Sequence, residues 1–104
     1  MLNYKIDNTG PSATVYFEGD LDIDTTELIE IELTDLLQNY ERIAIEFQDV
    51  RFVDSSGMGL LLTLVQSLKA DGKGVYIKRV REDVMEVFEL LQIPEILGRN
   101  TFIR

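Results

Sequence analysis

The sequence predicts a small α/β domain built on a mixed sheet of four or five strands, with an N-terminal antiparallel hairpin followed by strand–helix units. Three observations carry this expectation. The chain has 104 residues, which suits one hydrophobic core, residues 1–104, and leaves no room for a second. Its start holds two short strand-like runs around a Gly-Pro turn signal. From about Asp24 onward the apolar spacing changes back and forth between a helical period and a strand period.

The elements follow in order. Leu2 to Asp7 and Ala13 to Glu18 read as hairpin strands joined by Asn8-Thr9-Gly10-Pro11-Ser12, and Gly19-Asp20-Leu21-Asp22 closes the unit. From about Asp24 to Tyr40, Ile29, Leu33, Leu36, Leu37 and Tyr40 recur at helical spacing, with Asp24, Thr25 or Thr26 as the N-cap. Ile43 to Phe47 is a strand, and Val50 to Val53 is a partly buried connection or an extension of it. The next helix runs from Ser55 or Ser56 to Lys69. It is apolar nearly all round, so it is either deeply buried or offers apolar area to a partner. Ala70 to Gly74 ends it, and Val75 to Ile77 is the fourth strand. Val84, Val87, Phe88 and Leu91 mark a last helix, capped by Glu82 or Asp83 and stopped before Pro94. Glu95 to Arg104 shows no clear period. Strand–helix–strand units imply parallel strands with right-handed crossovers.

Composition removes whole classes of function. With 10 Lys and Arg against 19 Asp and Glu, the net charge is −9. Residues 1–52 hold twelve acids and three bases and so carry all of it, while residues 53–104 hold seven of each. Direct nucleic-acid binding and anionic membranes both call for a basic footprint, so neither is expected as a partner. The acidic half reads as a solvated face or as a surface that steers toward a basic partner. The chain has no Cys and no His, which excludes disulfides, Cys/His zinc sites and imidazole triads. Met1 to Asp7 has no signal-peptide character, and the apolar run Gly57 to Val65 is far short of a membrane span. Cytoplasmic location is the default expectation.

Motifs narrow it further. There is no phosphate-binding Gly-x-x-x-x-Gly-Lys loop, no dinucleotide fingerprint and no nucleophile elbow. Asp20, Asp22 and Asp24 have the alternation of a calcium loop, but Thr25 stands where that loop needs Gly and Ile31 where it needs Glu. No metal, cofactor or catalytic residue is therefore expected, and an enzyme built on carboxylates alone would need a pocket so short a chain hardly supplies.

One segment remains. Asp54-Ser55-Ser56-Gly57-Met58-Gly59-Leu60 lies where a strand turns into a helix. The first amides of a helix point outward and its positive end faces the same way, a setting that accepts phosphate. The same residues also read as an ordinary N-cap with glycines for close packing.

This segment resembles the signature of the STAS domain family, specifically the bacterial anti-sigma factor antagonists. The resemblance extends to Gly19-Asp20-Leu21-Asp22, to Ile45 through Val53 and to Val84 through Ile93, so it covers nearly the whole chain. The C-terminus departs from it, because with the chain stopping at Arg104 a full final helix is not expected. The resemblance implies that Ser55 is phosphorylated by an anti-sigma factor that is also a serine kinase, the kinase holding the ATP. The unphosphorylated chain would bind that kinase and release its sigma factor, and a phosphoserine phosphatase would restore the serine. Asp22, Asp54, Ser56, Gly57 and Met58 are the expected partner-binding residues around it. The resemblance leaves open a second role, as a STAS scaffold or sensor module of a stress-signalling or transport assembly without sigma control.

Overall fold

The computed structural model describes the backbone of residues 2–22 and 26–103, and side chains at 2–22 and 30–103. The cap expected from Asp24 or Thr25, the Asp24 arm of the alternating acids and the side chain of Ile29, expected to face inward, lie outside the described residues, while Thr26, the third cap candidate, is already the first residue of a helix. The elements are β1 (Leu2–Thr9), β2 (Ser12–Leu21), α1 (Thr26–Leu37), β3 (Arg42–Val53), α2 (Ser55–Ala70), β4 (Gly74–Lys78), α3 (Glu82–Leu90) and α4 (Ile93–Leu97). A 3-10 turn at Arg99–Thr101 and β5 (Phe102–Ile103) follow.

The hairpin turn is tighter than the five-residue signal implied. Thr9 pairs with Ser12, leaving Gly10 and Pro11 as the loop. Gly10 takes φ +54, the positive value that a two-residue turn led by glycine requires. The Pro11 carbonyl accepts the amides of Glu41 and Arg42, so this turn anchors the start of β3.

The sheet runs in the order β1-β2-β3-β4-β5. The β1–β2 pair is antiparallel and the other three pairs are parallel. Each parallel step goes to the next neighbour in one direction. Right-handed crossovers then put every connecting helix on one face. The burial pattern agrees: Val15, Phe17, Ile43, Ile45, Phe47, Val75 and Ile77 are buried, while Tyr16 and Tyr76 on the alternate positions are exposed. Glu46 is buried on that second face, where Arg79 donates to both its carboxylate oxygens, at 2.9 and 3.3 Å. Arg79 sits at φ +55, directly after β4.

Helix α2 answers the question its composition raised. Met58, Leu60, Leu61, Leu64, Val65 and Leu68 are all buried, so the apolar helix is the centre of the core rather than a partner surface. Around it, edge-to-face ring contacts of 5.8–5.9 Å run from Phe17 to Phe47 to Phe88 to Phe102 and tie β2, β3, α3 and β5 together. Lys69 in the last turn of α2 donates to the Leu97 carbonyl and the Thr101 hydroxyl, both at 2.6 Å.

Three details correct or complete the sequence reading. Val50 to Val53 extends β3 instead of connecting it. The N-cap of α3 is Arg81, with no side-chain cap bond, and Asp83 accepts the Val84 amide from inside the first turn. The segment without a clear period forms α4, the 3-10 turn and the fifth strand.

On the helix-covered face the Tyr4 phenol donates to Glu32 of α1. Partial burial and that carboxylate push its pKa up to about 12 from 10.0. The raised value belongs to the folded state, so the neutral phenol's contribution is fully present below pH 10 and is lost as pH rises toward about 12. Urea unfolding at stepped pH is expected to show a constant difference between wild type and Tyr4→Phe below that window and a shift against wild type within it. The Tyr4→Phe chain is also expected to lose the last step of the tyrosinate absorbance titration.

Candidate functional site

The site forms where β2 and β3 end side by side. Leu21 pairs with Val53, so Asp22 and Asp54 leave two neighbouring parallel strands at equivalent positions. The Asp54 amide donates to the Leu21 carbonyl at 3.2 Å, and α2 begins at the next residue.

Asp54 caps that helix. Its backbone is extended (φ −97°, ψ −176°), and its Oδ1 accepts the Gly57 amide at 2.9 Å. Its carbonyl accepts the Met58 amide, also at 2.9 Å. The amides of Ser55 and Ser56, at the first two helical positions, have no acceptor within the helix by its geometry. They point along the positive end of the sixteen-residue α2.

The Ser-Ser-Gly-Met run divides by depth. Ser55 is exposed, Ser56, Asp54 and Asp22 are half-buried, and Gly57 and Met58 are buried. Gly57 packs against the end of β2, where a Cβ would stand 1.9 Å from the Leu21 carbonyl oxygen. Gly59 faces open space, where a Cβ would meet nothing within 4 Å. The two glycines thus have unlike roles. Gly57 lets the helix start seat on the sheet, and Gly59 leaves the outer surface flat beside Ser55. Gly57 and Met58, expected from the sequence among the partner-binding residues, are buried at this position. Ser55 is the more exposed of the two serines at the helix mouth.

Phe52 was not singled out from the sequence. It is 53% exposed at the end of β3 and pairs with Asp20. Strict alternation from the buried Val50 would turn Phe52 inward. A register shift between Gly19 and Asp20, where Val50 is followed in the pairing by Phe52, reverses it. Only the broken alternation of Val50-Arg51-Phe52-Val53 hinted at this.

Among the described residues, no three carboxylates are grouped so as to hold a metal. No described helix is long and apolar enough to cross a membrane.

The chain is thus a two-layer α/β domain with a serine pair at the start of its second helix, which Asp54 caps. Residues 3–103 match the STAS domain family, and the chain belongs to it. An anti-sigma-B factor antagonist of Staphylococcus aureus is 29% identical over 83 residues, covering 79% of this chain and 77% of that protein. The anti-sigma factor antagonist SpoIIAA in its unphosphorylated form superimposes with a TM-score of 0.77 at 23% identity, over 97% of this chain and 86% of that one. The same protein in its phosphorylated form gives 0.73 at 21%, over 97% and 89%. A sulfate transporter family protein from Wolinella succinogenes gives 0.77 at 14%, over 88% and 75%. These structural likenesses establish the shared fold.

The packing difference between the glycines is directly testable. Gly57→Ala is expected to lower stability by about 2–3 kcal/mol, because backbone rather than a flexible side chain must move. Gly59→Ala is expected to raise it by up to about 1 kcal/mol through helix propensity. Chemical denaturation of the two variants beside wild type measures both.

Proposed function

We propose that the chain is an anti-sigma factor antagonist, a regulatory binding protein rather than an enzyme, whose partner choice is set by phosphorylation of Ser55. The observation that carries this reading is the exposed Ser55 hydroxyl at the first position of α2, beside two amides without helical acceptors. The relative named as an anti-sigma-B factor antagonist, and the same fold in the two forms of SpoIIAA, support it. The unmodified chain binds an anti-sigma factor that is a serine kinase and so frees the sigma factor. The kinase brings the ATP, and a phosphoserine phosphatase reverses the change. The exchange takes place in the cytoplasm, with no nucleic acid, membrane, metal or cofactor bound by this chain.

The physics of the switch is local. A phosphate adds about −1.5 to −2 charges and three strong acceptors. The helix start tolerates them, since the dipole and the amides of Ser55 and Ser56 favour an anion. The cost falls on the complex. Asp22 and Asp54 leave the same end of the sheet, so a partner closing here must desolvate a further anion among carboxylates. A loss of about 3 kcal/mol lowers affinity by more than a hundredfold, enough to change partners without a change of fold. Asp54, Ser56 and Asp22 form the contact surface around Ser55, with Gly57 and Met58 shaping it from beneath.

The transporter-family neighbour favours a second reading, a scaffold module within a transport assembly. Purification from the native host with intact-mass measurement separates the two. A mass increase of one phosphate together with a co-purifying serine kinase supports the antagonist, and a transport protein without either supports the scaffold. With the kinase in hand, phosphorylation is expected to vanish in Ser55→Ala and persist in Ser56→Ala. The opposite pattern moves the site to Ser56. Asp22→Asn is expected to change kinase binding or phosphorylation, and equal values for both remove Asp22 from the surface.

A further inference from the structure

Helix α3 is amphipathic twice over. Val84 and Phe88 point into the core. Val87, Leu90 and Leu91, at i, i+3 and i+4, form a second apolar stripe beside the first and turned to solvent. Leu90 is 82% exposed, the most of any large apolar side chain among the described residues, and Leu91 is 49% exposed. On α4, Ile93, Pro94 and Leu97 are buried while Ile96 is 53% exposed. Isolated exposed leucines are ordinary, but a helical stripe of them marks a contact surface.

The surroundings of the stripe select its occupant. A surface groove of about 490 Å³ borders it, lined by Glu82, Met85, Glu86, Glu89 and Leu90. Asp83 lies on the same helix. Of the nearby cations, Arg99 is taken up by Glu89 and Glu95, Arg79 by Glu46, and Arg81 donates to the Gln48 carbonyl. The rim is therefore acidic. A second copy of the chain would bring like charges together across the stripe, and an anionic membrane surface would be repelled. An apolar stripe at helical spacing with an acidic border complements a helix of opposite character.

We propose that the outer face of α3 docks a basic amphipathic helix of a partner protein, with Leu90 and Leu91 as anchors and Glu86 facing its lysines or arginines. This surface is separate from the serine site. Lys69 ties Leu97 of α4 to the last turn of α2, about 20 Å along the helix axis from Ser55. Docking here is independent of the state of Ser55, so the domain can hold one partner while exchanging another.

The test uses the full chain and two synthetic amphipathic peptides, one with leucines opposite lysines and one with leucines opposite glutamates. Fluorescence anisotropy is expected to show binding of the Lys–Leu peptide, weakened at least tenfold by the paired substitution Leu90→Ser and Leu91→Ser and several-fold by Glu86→Gln. Thermal melting of these variants is expected to stay close to wild type, since the side chains are exposed. Ser55→Asp is expected to leave peptide affinity within twofold. The proposal is overturned by failure of the Lys–Leu peptide to bind, by equal binding of the Glu–Leu peptide, or by undiminished binding in the double variant, which would move the contact to the acidic first half. A dimer in sedimentation equilibrium that the double variant dissolves would assign the stripe to a second copy instead.

Discussion

The carbonyl group of Leu21 is the contact on which the site depends. It accepts the Asp54 amide and also lies where any side chain at position 57 would have to stand. A hydrogen bond and a steric exclusion at one atom fix the start of α2 against the end of β2. The helix start cannot slide without breaking the bond, and it cannot come closer because the backbones already touch. Asp54 then closes the first turn by capping Gly57, which leaves the hydroxyl of Ser55 at the surface. A rigid seat of this kind allows a modification to alter the surface while the fold beneath it stays put.

The sheet explains why this place and not another. Parallel strands that step in one direction lay their helices on a single face, and the strand ends feed the helix starts. The ends of β2 and β3 therefore gather what those helix starts offer: outward amides, a positive dipole end and flanking acids. The remainder of α2 is committed to the core. Its apolar residues meet the sheet and the ring series from Phe17 to Phe102, so the helix that carries the serine also holds the molecule together. Local charge can change at its first turn because its later turns are fixed by packing.

Much of this was legible in the sequence. The hairpin, the three strand–helix units and the serine motif at a helix start all follow from spacing, turn residues and caps, which are local signals. What escaped the reading was set by contacts distant in the chain. Gly57 and Gly59 look alike in a motif, and only the arrival of Leu21 makes one indispensable and the other free. Phe52 faces outward because two strands slip register between Gly19 and Asp20, an event no single strand reveals. The last residues form β5 because β4 presents an edge to Ile103 and Phe88 presents a ring to Phe102. Arg81, a residue with no capping preference, stands at the start of α3, two residues after the left-handed Arg79.

Two surfaces of opposite design result, a polar helix mouth and an apolar stripe with an acidic border. The account rests on the first. Its most direct measurement is a calorimetric titration of the co-purified serine kinase with the chain carrying phosphoserine installed at position 55, beside the unmodified chain. Affinity falling about a hundredfold, with the folded spectrum of the domain unchanged, is the predicted result. Equal affinity of the two forms would contradict it.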